Sequence, residues 1–183
     1  HKDVRADRTR YQTVFAKFRG SVAAPTAGLH FTPEILAQLR HCFLTLHVGY
    51  GTFKPVSSDT VEDHRMDAEH YLLDRANADL ISAHLEAEKP VVAVGTTTTR
   101  TLEYIYRQQG AMVPHQGWTD LFIYPGFQFQ AVQGLLTNFH LPGSTLLLLV
   151  SAFGSRDLIR ECYRKAIELK YRFYSYGDAM LLI

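Results

Sequence analysis

Cysteine and tryptophan are nearly missing from this 183-residue chain: it holds two cysteines and one tryptophan. Cys42 and Cys162 stand far apart, with no Cys-x-x-Cys or Cys/His ligand spacing, which argues against a disulfide framework or a zinc site. A reducing cytoplasm is the expected compartment. An excess of charge is also lacking. The 19 Lys and Arg residues face 18 Asp and Glu, so no global field draws nucleic acid or an anionic membrane, and any RNA contact must be a local patch. Long apolar runs are absent as well. The longest, Leu146–Val150, falls far short of the roughly 20 residues of a membrane span, and no signal peptide opens the chain. There is no Walker motif, no G-x-G-x-x-G fingerprint, no internal repeat and no low-complexity linker. What remains is 46% hydrophobic and 20% charged, enough for one sizeable core. A single domain over residues 1–183 is expected. The chain opens on His1-Lys2-Asp3 without an initiator methionine, which suggests a fragment of a longer protein.

Periodicity predicts an alternation of helices and strands. Tyr11, Val14, Phe15 and Phe18 fall at i, i+3, i+4, i+7, the spacing of one face of an amphipathic helix from Arg8 to Arg19, with a partly basic opposite side. The stretch Ser21 to His30 reads as a loop of small residues. Thr32-Pro33-Glu34 opens a helix to about Cys42, and Phe43–Val48 reads as a buried strand. A glycine-rich turn, Gly49-Tyr50-Gly51-Thr52-Phe53, follows it. Tyr71-Leu72-Leu73 is a short strand, Asp74 caps a helix to about Glu88, and Val91–Val94 is a central parallel strand. A helix is expected from about Thr99 to Gln109 and a strand over Leu121–Tyr124. Ser144 caps an apolar helix to Phe153, and Ser155 or Asp157 starts a last helix to about Tyr171. Its buried stripe is Ile159, Cys162, Tyr163, Ala166 and Ile167. The expected class is α/β: a mostly parallel sheet flanked by helices.

Three features carry chemistry. Gly95-Thr96-Thr97-Thr98-Thr99-Arg100 follows a strand and opens a helix, where free N–H groups favour phosphate or carboxylate; a helix cap with surplus threonines is the equal alternative. Thr137-Asn138-Phe139-His140-Leu141-Pro142 concentrates a hydroxyl, an amide, an aromatic ring and an imidazole beside a turn, a set able to hydrogen-bond a base or ribose and shuttle a proton. A lone histidine is more often structural, and only the density of polar types favours a site. Arg156, Arg160 and Arg164 share a helix face that could hold RNA phosphates, extended by Arg10 and Lys17, although a solvated surface is the commoner explanation. Tyr174-Ser175-Tyr176-Gly177-Asp178 could line a pocket or merely end the fold. Neither cysteine looks nucleophilic.

Taken in order, RYQTVFA (Arg10 to Ala16), GSVAAPTAGLHFT (Gly20 to Thr32), TLHVGYGTFKPV (Thr45 to Val56), VGTTTTRTLE (Val94 to Glu103), LFIYPG (Leu121 to Gly126), LLTNFHLPGSTL (Leu135 to Leu146), LVSAF (Leu149 to Phe153) and YRFYSYGDAML (Tyr171 to Leu181) closely resemble the S-adenosylmethionine:tRNA ribosyltransferase-isomerases of queuosine biosynthesis. The resemblance covers nearly the whole chain. It implies transfer and isomerisation of the ribosyl moiety of S-adenosylmethionine onto 7-aminomethyl-7-deazaguanine at the tRNA wobble position, giving epoxyqueuosine-tRNA, adenine and methionine. S-adenosylmethionine would be a cosubstrate, with no cofactor or metal held permanently, and the protein a cytoplasmic monomer without membrane contact.

The resemblance also suggests roles. His140 and Asn138 would serve the reacting sugar or the deazaguanine, with His30 and His47 as further acid–base candidates. Gly95, Thr96, Thr97, Thr98 and Arg100 would suit the methionine carboxylate or a tRNA phosphate. Thr137 belongs to the same cosubstrate set, and Tyr176 and Asp178 could hold the base or the cationic amine. The chain departs from the family pattern at Met66-Asp67-Ala68-Glu69, where Met-His-Ser-Glu is common, so only Glu69 carries over. Gly143 and Phe153-Gly154-Ser155 are departures that should be tolerated. Family members carry a further N-terminal portion with a β-barrel-like second domain ahead of Arg-Tyr-Gln-Thr. Its absence from this chain leads to an expectation of little activity for the chain alone. A truncated, non-catalytic tRNA-binding paralogue is the alternative reading, and a methyltransferase ranks last.

Overall fold

A computed structural model of the chain describes residues 10–49, 56 and 58–183. The helices are α1 (Pro33–Ala37), α2 (Arg75–Glu86), α3 (Thr96–Gln109), α4 (Thr145–Gly154) and α5 (Arg156–Glu168), preceded by a 3-10 turn, Thr26–His30. The strands are β1 (Thr45–His47), β2 (Glu69–Leu73), β3 (Val92–Val94), β4 (His115–Thr119), β5 (Gly134–Asn138) and β6 (Ala179–Leu182). The caps are those the sequence predicts. The side chains of Thr32, Asp74, Ser144 and Ser155 accept from the amides of Ile35, Asn77, Leu147 and Leu158, satisfying one otherwise unpaired donor each. Asp74→Ala is expected to cost about 1 kcal/mol, read as a lowered urea midpoint.

The sheet is not mostly parallel. Among the described residues two three-stranded sheets form, ordered β1-β2-β4 and β3-β5-β6, and of their four pairings only β3 with β5 is parallel. Parallel neighbours need a crossover element. Here the segment carrying α3 supplies one between β3 and β5, whereas no helix lies among the described residues between β1 and β2. Val92–Val94 is also an edge strand rather than a central one. The centre is β5, buried along most of its length, which carries the parallel partner on one side and antiparallel β6 on the other.

Other differences follow from tertiary packing. Helix does not continue past Arg10 in the described part of Arg8 to Arg19. Its aromatic spacing serves separate targets: Tyr11 meets Tyr176 edge-on at 5.6 Å between ring centres, Phe15 lies over Phe43 at 5.1 Å, and Phe18 is exposed. α1 stops at Ala37, since none of its residues is buried and a helix without a packed face has little to extend it. Leu121–Tyr124 is irregular; Ile123 is buried, but the Leu121 carbonyl accepts from Arg100 at 3.5 Å and Pro125 lacks an amide. The strand in that region is β4, whose pairing to β2 over five residues outweighs the weak propensity of His-Gln-Gly-Trp-Thr. In α5 Ile159 and Ala166 are buried, whereas Ile167 is exposed, being about 80° round the helix from Ile159. Past Gly49, the glycine-rich turn lies outside the described residues.

Two apolar clusters hold these elements. Tyr71, Leu73, Ile81, Leu102 and Ile105 gather between the antiparallel sheet, α2 and α3, and Ile123, Leu135, Leu149, Val150 and Ile159 between β5, α4 and α5. Phe153 packs against both. Among the described residues, no helix is long and apolar enough to cross a membrane.

Candidate active site

The parallel pair β3 and β5 ends side by side: Val94 is in register with Leu136, and the Gly95 amide donates to the Leu136 carbonyl at 2.8 Å. Ligands of α/β sheets sit beyond such carboxyl ends. The register therefore brings two segments 40 residues apart in sequence, Gly95–Thr98 and Thr137–His140, to a single cavity of about 170 Å³. The loop Ala24 to Ala27, with the start of the 3-10 turn, forms another wall, and Tyr174 and Ser175 close it. The volume is smaller than the roughly 300–1,000 Å³ that encloses a whole drug-sized ligand, so this cavity suits one part of a ligand. Its described lining contains no Asp, Glu, Lys or Arg.

The threonine turn starts α3 three residues earlier than Thr99. Gly95 adopts φ +93°, a conformation that suits glycine, and offers no side chain to cap the helix. Thr99 turns its hydroxyl back to the Gly95 carbonyl at 3.1 Å. Thr96 and Thr97 are buried.

On the β5 side, Thr137, Asn138 and His140 are all buried. Thr137 Oγ1 lies 3.0 Å from His140 Nε2, and the His140 amide donates to the Tyr163 hydroxyl at 2.8 Å. Burial pushes the His140 imidazole down to about 4, because a low-dielectric site disfavours its charged form. The imidazole is therefore neutral near pH 7. Burial likewise pushes the Tyr163 phenol up to about 12.

Asn138 links this cavity to a second hollow. Its Nδ2 donates to the Tyr174 carbonyl at 3.3 Å and stands 3.1 Å from His30 Nε2. The Tyr174 oxygen can only accept, which fixes the amide orientation. His30 Nε2 must accept from the same NH₂ group, leaving the proton of the neutral ring on Nδ1. His30 lines the second hollow with Arg172, Ser175, Tyr176, Gly177 and Asp178. There Arg172 binds Asp178 at 2.7 Å and also gives it its backbone amide at 2.7 Å; these two bonds hold the Asp178 carboxyl below its ordinary value.

The remaining candidates lie elsewhere. His47 sits on β1 beside His70, 5.4 Å between ring centres, and its strand neighbours Leu46 and Val48 line the cavity instead. Glu69 and Arg100 are each 2% exposed and form a buried ion pair behind the threonine turn. Glu69 also accepts from the Gly49 amide at 3.1 Å, and neither residue lines the cavity. On α5 Arg164 is held by Glu161 at 2.5 Å and by Glu168, whereas Arg156 and Arg160 are exposed. Arg10 and Lys17 are exposed too but share no helix face.

Sequence reasoning missed several contributors. Glu103, fully buried, accepts from the amides of Gln130, Ala131 and Val132 at 2.9–3.1 Å and so fixes the chain entering β5. Arg172 and Tyr163 gain their places only through the packing of the C-terminal segment. Glu103 alone gave a signal, a carboxylate on the apolar side of a helix.

The family model described as "Queuosine biosynthesis protein" matches residues 1–182. The chain is 54% identical to the S-adenosylmethionine:tRNA ribosyltransferase-isomerase of Staphylococcus epidermidis and 52% identical to that of Caldanaerobacter subterraneus. Each alignment covers 97% of this chain and 53% of the relative, so the chain spans about half the length of the curated relatives it matches. The crystal structure of an S-adenosylmethionine tRNA ribosyltransferase from Thermotoga maritima superposes with a TM-score of 0.71 at 42% identity, covering 86% of this chain and 51% of that one.

Proposed function

The chain belongs to the queuosine biosynthesis protein family, and on that footing we propose that it transfers and isomerises the ribosyl moiety of S-adenosylmethionine onto 7-aminomethyl-7-deazaguanine at the wobble position of tRNA. Epoxyqueuosine-tRNA, adenine and methionine are the products, and S-adenosylmethionine is consumed as a cosubstrate. A monomeric, cytoplasmic enzyme goes with this reading. The observation that supports it most is the meeting of Gly95–Thr98 and Thr137–His140 in one cavity. That cavity takes part of the cosubstrate. The adjoining hollow, with Tyr176 as a ring and Asp178 as a carboxylate, takes the deazaguanine and its amine.

The reaction needs a proton removed beside the sulfonium and the attacking amine held neutral, which calls for a positioned acid–base group. His30 fits that task better than His140. It belongs to the second hollow and contacts Asn138 of the first, and its Nε2 already acts as an acceptor. His140 and Thr137 orient the ligand instead.

Incubating a full-length protein that contains this chain with S-adenosylmethionine and tRNA bearing the 7-deazaguanine amine should release adenine and methionine in equal amounts. Retention of tRNA with no adenine would point to a binding protein, and S-adenosylhomocysteine among the products to methyl transfer; either result overturns this reading.

A further inference from the structure

Asn138 closes the central strand β5 and is 2% exposed, and its Nδ2 meets two neighbours of different kinds. One is the Tyr174 carbonyl at 3.3 Å. That oxygen also accepts from the Gly177 amide at 2.9 Å, while the Tyr174 amide donates to the Phe139 carbonyl at 3.1 Å. The Tyr174 backbone is thus held on both sides, at a φ of +72° that is uncommon outside glycine. The other neighbour is His30 Nε2 at 3.1 Å, at the end of the 3-10 turn Thr26–His30.

These contacts leave the Asn138 amide one orientation. A half-turn would set Oδ1 against the Tyr174 oxygen, two acceptors face to face, and a buried polar group that loses its partner is costly. The NH₂ group therefore keeps its place, and a neutral His30 keeps its lone pair on Nε2 and its proton on Nδ1. His30 is otherwise exposed, and Asn138 is the one described residue hydrogen-bonded to its ring. Without that donor the ring proton is free to sit on either nitrogen. On the open side of the ring, Nδ1–H has no acceptor among the described residues. The hollow that His30 lines holds one carboxylate, Asp178, and Arg172 already binds it through its guanidinium and its backbone amide.

We propose that Asn138 is a positioning residue for His30: it fixes the ring in the Nδ1–H tautomer, so that His30 meets the occupant of the second hollow as a hydrogen-bond donor. The occupant must then bring an acceptor to that nitrogen. The arrangement also orders proton transfer, since the neutral ring can take up a proton only at Nε2, where the Asn138 N–H must give way. The inference rests on the proposed reaction for its occupant alone, the lactam carbonyl of the 7-deazaguanine being such an acceptor.

The test is long-range ¹H–¹⁵N NMR of the imidazole rings in the ¹⁵N-labelled chain at about pH 8, where an ordinary histidine is neutral. His30 Nδ1 should give the shift of a protonated nitrogen and Nε2 that of an unprotonated one. In Asn138→Ala the two shifts should draw together as the proton is shared. In Asn138→Asp, whose carboxylate only accepts, they should exchange. A purely structural Asn138 would lower Tm and leave the tautomer unmoved, which overturns the inference, as does a native ring with its proton on Nε2. The native spectrum decides that last point even if a variant fails to fold. In a full-length protein that contains the chain, His30→Asn, whose amide can take the place of Nδ1–H, should bind tRNA bearing the 7-deazaguanine amine about tenfold more tightly than His30→Ala, roughly the worth of one hydrogen bond. Equal binding by the two overturns the donor role. Neither reading needs turnover, so the outcomes separate. Nδ1–H without adenine release upholds the inference and sinks the proposed reaction, whereas Nε2–H with adenine release does the reverse.

Discussion

Arg100→Met should destabilise the protein by about 3–5 kcal/mol, the usual cost of removing one partner of a buried ion pair. Arg100 and Glu69 are each 2% exposed and bonded to one another. Burial pulls the guanidinium down from its ordinary value, and Glu69 opposes that pull. With Arg100 gone, the Glu69 carboxylate faces an apolar side chain at the same depth. In a domain of this size the loss corresponds to a fall in Tm of roughly 10 °C, measured by circular dichroism melts. The double variant Arg100→Met/Glu69→Leu should recover most of it. Arg100 Nε has no partner even in the native fold, so the pair does not repay its full desolvation cost. A single variant within 1 kcal/mol of the native protein would show that the pair is not a buried charge couple. The functional consequence is indirect. The pair ties β2, and through Glu69 the Gly49 amide, to the first turn of α3, so its loss should loosen the threonine turn. Glu69 thus has a positioning part in holding β2 against the first turn of α3.

Much of the local structure was legible because it depends on local chemistry. Thr32, Asp74, Ser144 and Ser155 mark helix starts since their oxygens answer an amide three residues on, a rule that needs no tertiary information. The Gly95 turn was legible as a strand-to-helix junction for the same reason. The sheet was not. Whether β6 runs with or against β5 is settled by how the chain returns through α4 and α5, and nothing in Ala-Met-Leu-Leu encodes it. The false helix over Tyr11–Phe18 shows the converse failure: a spacing of 3, 4 and 7 arose from two unrelated ring contacts, Tyr11 with Tyr176 and Phe15 with Phe43, and two exposed side chains. Within the site, the types of residue were legible and their juxtaposition was not. Thr137-Asn138-Phe139-His140 looked like chemistry on its own, but its neighbour in space is Gly95–Thr98 because β3 and β5 pair in parallel. His47 failed by alternation: a strand sends successive side chains to opposite faces, and Leu46 and Val48 took the cavity side. The charge state of His140 was equally hidden, since it follows from burial that only the packed fold creates.

That charge state yields the second large effect. The folded protein holds the His140 imidazole neutral down to about pH 4, whereas in the unfolded chain it takes up a proton near its ordinary value of about 6.5. Between those limits the unfolded state binds more protons, so stability rises with pH. The contribution is in full force above pH 6.5 and is lost progressively as pH falls towards 4. By pH 4.5 the loss should reach about 2–3 kcal/mol, read from urea unfolding at pH 7 and pH 4.5. Asp178, Glu34 and Glu161, whose carboxyls are held below their ordinary values by hydrogen-bonding partners, also lose stabilisation on acidification. They are unchanged in His140→Gln, so the difference between the native protein and that variant isolates the imidazole. The variant should lose correspondingly less stability over the same interval, and equal losses would rule out a neutral buried His140. The same state bears on the reaction. A group that stays neutral from pH 5 upward adds no limb near 6.5 to the rate profile. If such a limb is found in the native enzyme and persists in His140→Gln, the proton belongs to another residue.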